Sequence, residues 1–185
     1  MSEQQLNNFS LISRLFGNLF YRSPLDPVLN GVFDWLQQKG LEQVWALESD
    51  KSAQEAINAL QMPVSREVLA TEYEALFGAD KKVATEISAY GISVEEFIDF
   101  RQTRGMPDVE SADHFGLVFL TASWIEDNLD STEAQQTLFE RFLLPSAGKF
   151  LMKVESQALL PFYRSLAVLS RDILAAMADE LEESE

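Results

Sequence analysis

Apolar residues recur at spacings of three and four along nearly the whole chain, and this spacing constrains the fold more than any other feature. It begins with Leu6, Phe9, Phe16 and Phe20 and places their side chains on one face of an α-helix. No stretch keeps the strict alternation of a half-buried β-strand. The sequence therefore predicts an all-α fold over residues 1–185, as a single globular helical bundle of about eight to ten helices.

Capping residues and breakers predict where the helices begin and end. Predicted starts are Asp26 with Pro27, Ser52 with Glu55, Ser93 with Glu96, and Ser131 or Thr132. Gly40 and Gly78 predict helix ends. Residues Ala79–Ile92 lack a clear period, and a connection of this length is typical of functional or mobile segments. The last residues, 179–185, are predicted to form an acidic, solvated tail.

The charge is strongly negative, with 30 acidic and 14 basic residues and a net charge of −16. Such a surface repels nucleic acid and anionic lipid and favours a cationic partner, although solubility alone accounts for it equally well. No apolar run approaches the roughly 18 residues of a membrane span, so no membrane insertion is expected. The N-terminus lacks the basic region of a secretory signal, which predicts a cytoplasmic location. The absence of cysteine excludes disulfides, thiolate zinc sites and thiol catalysis.

The chain has one histidine, His114, which follows Asp113 and stands four residues after Glu110. If Ser111 caps the next helix, Asp113 and His114 lie in its first turn, where the helix dipole favours a neutral imidazole. If the helix instead begins at Asp108, Glu110 and His114 share a face and can pair. A lone histidine with two carboxylates is a poor metal site, so no metal and no cofactor is predicted. Helix capping with a local hydrogen bond is the structural interpretation of this segment and a recognition surface the functional one, since no G-x-S-x-G motif supports a catalytic triad.

Three aromatic residues flank or lie within the irregular connection. Helical spacing favours core packing for Tyr73 and Phe77. Tyr90 lies in the connection itself, so it is predicted to be the exposed aromatic residue of the three.

A combined pattern resembles the TorD/DmsD/NarJ family of redox-enzyme maturation chaperones. It consists of Tyr73-x-x-Leu76-Phe77, a variable loop, Glu110-x-x-Asp113-His114 and the apolar run Phe115–Leu120. Segments similar to the YcdY-like subgroup are Phe20–Pro27, Trp124–Asp127, Leu143–Pro145 and Arg171–Asp172. Ser88-Ala89-Tyr90 matches a Ser-x-aromatic element of the family. Ala84 and Thr85 stand where members usually carry proline, which predicts a less rigid loop.

The resemblance implies a cytoplasmic, client-specific chaperone without catalytic activity. It would bind an immature molybdo- or other metalloenzyme, or its twin-arginine signal peptide, and assist cofactor loading. The peptide is cationic and then apolar, and an acidic surface beside an apolar groove complements it. The implied client-binding residues are Glu110, Asp113, His114, Phe115, Tyr73, Phe77, Ser88 and Tyr90.

The oligomeric state and the class of function have more than one interpretation. The chaperone would be a monomer or a domain-swapped homodimer, with residues 79–92 as a hinge. A helical scaffold that binds a mature partner protein is the alternative, and a hydrolase that uses Asp113 and His114 is a third, weaker interpretation.

Overall fold

The computed structural model describes residues 3–45, 47, 50–129 and 131–183, and the side chains from Asn8 onwards. Its α-helices are α1 (Glu3–Tyr21), α2 (Asn30–Gln37), α3 (Gly40–Val44), α4 (Lys51–Gln61), α5 (Arg66–Phe77), α6 (Val94–Thr103), α7 (Phe115–Asn128), α8 (Thr132–Leu138), α9 (Leu144–Gln157) and α10 (Pro161–Glu183). Two 3₁₀-helices, Pro27–Leu29 and Ile87–Tyr90, and a π-helical turn, Phe139–Leu143, complete the described elements. No strand occurs within these ranges, so the all-α prediction is confirmed.

Helix α1 packs along α7, and two glycines let the helices approach closely. A Cβ atom on Gly116 would stand 2.8 Å from the carbonyl oxygen of Gly17 and 2.8 Å from the amide nitrogen of Tyr21. A Cβ atom on Gly17 would meet the Leu120 side chain at 2.8 Å. Only hydrogen fits at either position, so this crossing fixes where α7, and the histidine before it, sit against α1.

A cluster of aromatic rings fills the space between α1, α5, α7 and α9. Phe150 of α9 lies at its middle, with ring centroids at 4.5 Å from Phe115, 5.2 Å from Phe20 and 5.9 Å from Phe77. Such ring pairs add about 0.5–1.5 kcal/mol each beyond the area that they bury. The helices thus share one continuous core. That core supports the prediction of a single domain over residues 1–185, which stays a prediction.

Helix α10 packs on α4 and α9, and its N-terminus is held by α5. Both Leu159 N–H and Leu160 N–H donate to Glu72 Oε2, at 2.9 and 3.0 Å. A buried carboxylate there satisfies the free amides before the helix and suits its dipole. At the other end the acidic side chains of Asp179, Glu182 and Glu183 are exposed as predicted, but residues 179–183 form no separate tail. They continue α10, Leu181 is buried, and Gln136 donates to the Leu181 carbonyl at 3.0 Å; residues 184 and 185 lie outside the described residues.

The predicted boundaries are partly right. Asp26 accepts from the amide of Val28 with Pro27 at the first helical position, as predicted. Asp50, not Ser52, caps α4 by accepting from the amide of Ala53 at 2.8 Å. Other predicted caps that the structure confirms are Ser93, Ser131 and Gly78.

The predicted helix end at Gly40 is wrong. Gly40 begins α3, and the left-handed residue that separates α2 from α3 is Lys39, with φ 63°. Gly40 is required for another reason, since a Cβ atom there would overlap the Trp35 ring.

None of the described helices combines the length and the apolar character needed to cross a bilayer.

Candidate functional site

Two connections meet at the N-terminus of α7, one between α5 and α6 and the other between α6 and α7. Phe115 N–H donates to the carbonyl of Thr85 at 2.8 Å. Asp113 accepts two hydrogen bonds from Ser88, from the amide at 3.0 Å and from the hydroxyl at 2.5 Å. The structure therefore brings together Ser88, Asp113, His114 and Phe115 of the predicted site.

His114 is the N-cap of α7. Its Nδ1 accepts from Gly116 N–H at 2.9 Å, which requires the proton to sit on Nε2 in the neutral ring. Both predicted helix starts, Ser111 and Asp108, are therefore wrong. The amide of Phe115 is bonded to Thr85 instead of a cap upstream, and the chain is extended at His114. No helix runs from Glu110 to His114, so their predicted pairing along a helix face is wrong as well.

The surroundings of His114 keep it neutral. Burial lowers the pKa of His114 to about 4, although the nearby carboxylates of Glu86 and Asp113 act in the opposite direction. The Tyr21 ring meets the imidazole edge to face, with centroids 4.9 Å apart. Glu86 is bonded to Lys81 at 2.6 Å, and this hydrogen bond lowers the pKa of Glu86.

The four aromatic residues predicted to contact a client are all in the core. Phe115 has no exposed surface, and Tyr73, Phe77 and Tyr90 are exposed by 9% or less. The prediction of Tyr90 as an exposed ring is wrong because its hydroxyl donates a hydrogen bond to the Ala84 carbonyl at 2.6 Å, within the same connection. Tyr73 similarly donates to the Phe20 carbonyl at 2.9 Å. With their polar ends bonded, both rings are buried at little cost. In this conformation the four rings expose little surface, and their contact with a client stays a prediction.

A groove between α6 and the segment that precedes α7 was not foreseen from the sequence. It encloses about 400 Å³ and is lined by Ile98, Arg101, Gln102, Met106, Pro107, Asp108, Val109, Glu110 and Ala112. We call it the α6–α7 groove. Ile98 and Val109 are large apolar residues exposed by 37% and 39%. Asp108 and Glu110 supply carboxylates at its edge, so the groove combines apolar walls with negative charge.

Arg101 forms the inner wall of the α6–α7 groove. It is buried, and it donates to Thr121 Oγ1 at 2.6 Å and to the Pro107 carbonyl at 2.9 Å. Burial lowers the pKa of Arg101. Within the described residues no carboxylate lies within ion-pair distance of it. Arg101 therefore ties the segment that carries Asp108 and Glu110 to α6 and α7.

The polar groups of His114 and Asp113 are engaged within the fold. His114 uses Nδ1 to cap α7, and Asp113 bonds to Ser88 rather than to the imidazole. Across the part of the chain that the structure describes, no three potential metal ligands come together. Of the predicted residues, Glu110 lies at the groove edge and Asp113 anchors the adjacent connection.

Comparison with known proteins finds relatives along the full length. An uncharacterized protein of Haemophilus influenzae is 65% identical over 183 residues, covering 99% of this chain and 100% of the relative. Chaperone protein YcdY of Escherichia coli is 41% identical over 184 residues, covering 96% and 98%. The Tat proofreading chaperone DmsD of Salmonella typhimurium is 27% identical over 191 residues, covering 96% and 92%. No protein-family model matches the chain. These named relatives are chaperones and not enzymes, in agreement with the prediction of a non-enzymatic protein.

Proposed function

The chain belongs to the TorD/DmsD/YcdY-like family of redox-enzyme maturation chaperones, and on that premise we propose that its α6–α7 groove captures a cationic and apolar segment of an immature client enzyme. The single observation that carries the proposal is the pairing of exposed apolar walls, Ile98 and Val109, with the carboxylates of Asp108 and Glu110. A protein in water exposes such a combination at binding sites more often than elsewhere.

The groove suits a short stretch in which arginines precede apolar residues. Guanidinium groups bond to carboxylates through two parallel hydrogen bonds, and Asp108 and Glu110 are exposed and free to offer them. The apolar residues that follow would cover Ile98, Val109 and the buried Met106. The net charge of −16 would attract the cationic segment from a distance and speed its capture.

The predicted site residues take different parts in this proposal. Glu110 would contact the client. Asp113, Ser88 and His114 would hold the connection and the start of α7 in place beside it, through the hydrogen bonds described above. The buried rings of Tyr73, Phe77, Tyr90 and Phe115 would support this region from the core.

The identity of the client and the compartment in which it is bound are also proposals. The client would be a molybdo- or other metalloenzyme that has not received its cofactor, or its twin-arginine signal peptide, and the encounter would take place in the cytoplasm. DmsD is named as a Tat proofreading chaperone, and this name supports the signal peptide as the segment bound. The chaperone would hold the client until the cofactor is loaded.

Calorimetric titration with a synthetic twin-arginine signal peptide tests the proposal. We expect binding to the wild type and a loss of about five- to thirtyfold in affinity for Asp108→Asn/Glu110→Gln, since each exposed charge pair contributes up to about 1 kcal/mol. The matched control is Asp34→Asn/Glu55→Gln, which changes the net charge equally on α2 and α4. Equal affinities for both double variants would remove the groove from the proposal.

A second titration separates a chaperone from a scaffold. A chaperone binds the cofactor-free or unfolded form of a client more tightly than the mature form, whereas a scaffold prefers the mature form. Clients for this comparison come from pull-down with the wild-type chain followed by mass spectrometry. Preference for the mature form would favour the scaffold.

A further inference from the structure

The solvent-facing side of α9 carries no carboxylate, although the chain has 30 acidic residues. Its exposed positions are Leu144, Pro145, Gly148, Lys149, Met152, Lys153, Ser156 and Gln157. They recur at the spacing of one helix face. The acidic residue of this helix, Glu155, turns towards α10 and pairs there with Arg171 at 2.7 Å. We call these exposed positions the α9 face.

The α9 face is both cationic and apolar. Met152 is 62% exposed and lies between the two lysines in sequence, whereas Leu144, 38% exposed, lines a cavity with Glu140 and Glu182 at the start of the helix. Lys149 and Lys153 are exposed, and neither forms an ion pair with any residue of the described ranges. Exposed apolar side chains beside unpaired cations give a surface that complements an acidic and apolar partner.

This face adjoins the candidate site. The Lys153 ammonium lies 5.2 Å from the centre of the Tyr90 ring. Tyr90 belongs to the same short 3₁₀-helix as Ser88, whose amide and hydroxyl bind Asp113. The α9 face therefore lies next to the turn Ile87–Tyr90, which is also bonded to Asp113 of the candidate site.

We propose that the α9 face is a second docking surface, which binds an acidic amphipathic helical segment of the client protein. This inference rests on the proposed chaperone function. It assigns the client's cationic segment to the α6–α7 groove and an acidic segment of the same client to α9. The charges favour this occupant over two others. A symmetric dimer through this face would set Lys149 and Lys153 against their own copies, which repel each other. Two lysines on a chain of net charge −16 are too few to hold nucleic acid.

Fluorescence anisotropy with a labelled peptide tests the proposal. The probe is a synthetic helix of about 18 residues with leucine on one face and glutamate on the other. We expect it to bind the wild type and to bind Lys149→Glu/Lys153→Glu about tenfold or more weakly, because reversal turns two attractions into repulsions. The matched control is Lys39→Glu/Lys51→Glu, which gives the same net charge on other exposed positions and should leave the affinity within about twofold.

A second variant guards against an effect on folding. Lys149→Glu/Met152→Ser leaves Lys153 and its contact with the Tyr90 ring in place, and this variant should also bind the probe more weakly than the wild type does. The twin-arginine peptide should bind all these variants as it binds the wild type, so failure of the α9 face and failure of the groove are told apart.

Several results would overturn the assignment. They are the absence of probe binding to the wild type, equal weakening by the control pair, or loss of probe binding in Asp108→Asn/Glu110→Gln. Sedimentation showing a dimer that Lys149→Glu/Lys153→Glu dissociates would instead make a second copy the occupant. Tighter binding to anionic vesicles than to the peptide, abolished by the same change, would make a membrane the occupant.

Discussion

Replacing Gly116 with alanine should destabilise the protein by pushing α1 and α7 apart. The new methyl group would stand 2.8 Å from the Gly17 carbonyl oxygen and from the Tyr21 amide nitrogen, and 2.9 Å from Tyr21 Cβ. The two nearest atoms belong to the backbone of α1, so relief requires the whole helix to move by about half an ångström. Side-chain rotation cannot provide it.

The expected size follows from two opposing effects. Overpacking a close-packed interior costs about 1–3 kcal/mol. Gly116 is the second residue of α7, so alanine there stabilises the helix by no more than the about 0.5–1 kcal/mol of an interior position. The middle of each range leaves a net loss of about 1 kcal/mol, which for a chain of this length lowers Tm by about 2–4 °C.

Gly148→Ala is the matched control. Gly148 also lies inside a helix, α9, but a Cβ atom there meets nothing within 4 Å. The free energy of unfolding of this variant should rise by about 0.5–1 kcal/mol, so the same substitution stabilises at one position and destabilises at the other. Urea unfolding followed by circular dichroism measures both. If Gly116→Ala is as stable as the wild type, or if both variants shift in the same direction, the close α1–α7 approach is refuted.

Three further predictions concern the candidate site. Folding lowers the pKa of His114 from 6.5 to about 4, so the unfolded chain binds its proton first as pH falls. The free energy of unfolding should therefore drop by about 2 kcal/mol between pH 7 and pH 5 relative to His114→Asn, which keeps a capping acceptor and does not titrate. A difference in unfolding free energy between wild type and variant that is the same at both pH values would contradict this. Tyr73→Phe removes the buried hydrogen bond to the Phe20 carbonyl and should cost about 1–2 kcal/mol in urea unfolding, whereas an unchanged midpoint would show that water replaces the hydroxyl. Ser88→Ala removes the 2.5 Å bond from the hydroxyl to Asp113 but keeps the amide bond, so the backbone amides at position 88 and at Phe115 should exchange faster with deuterium in this variant; protection equal to the wild type would show that the connection is held elsewhere.

Helices and their polar caps could be predicted from the sequence because both depend on neighbours along the chain. The stripe of Phe9, Phe16 and Phe20 is buried in α1, and Ser93 accepts from the amide of Glu96 as the capping-box spacing requires. Only half of that box forms, since the Glu96 carboxylate pairs with Arg141 at 2.8 Å instead. A partner distant in sequence decides what the side chain does, and the local pattern carries no signal for it.

The candidate site was harder to predict for the same reason. The start of α7 depends on the bond from Phe115 to Thr85, which lies in another connection, and histidine is not among the residues that usually cap helices. The position of Tyr90 in an irregular segment suggested exposure. Its hydrogen bond to the Ala84 carbonyl and its contact with the Phe150 ring instead stabilise a buried position. The α6–α7 groove needs Ile98 of one helix beside Val109 of the following segment. A turn at Gly105, with φ 77°, brings them together.

Photo-cross-linking of a twin-arginine peptide to the wild-type chain tests the central claim most directly. A benzophenone placed in the apolar part of the peptide, after the arginines, reacts with the residues that it touches, and mass spectrometry identifies them. We predict cross-links to residues 98–112, above all to Ile98, Met106 and Val109 of the α6–α7 groove. A cavity of about 320 Å³ between α1 and α2, lined by Leu11, Leu15, Val32 and Trp35 among others, offers the competing apolar site. Cross-links confined to that cavity, or none above those of a peptide without arginines, would contradict the account.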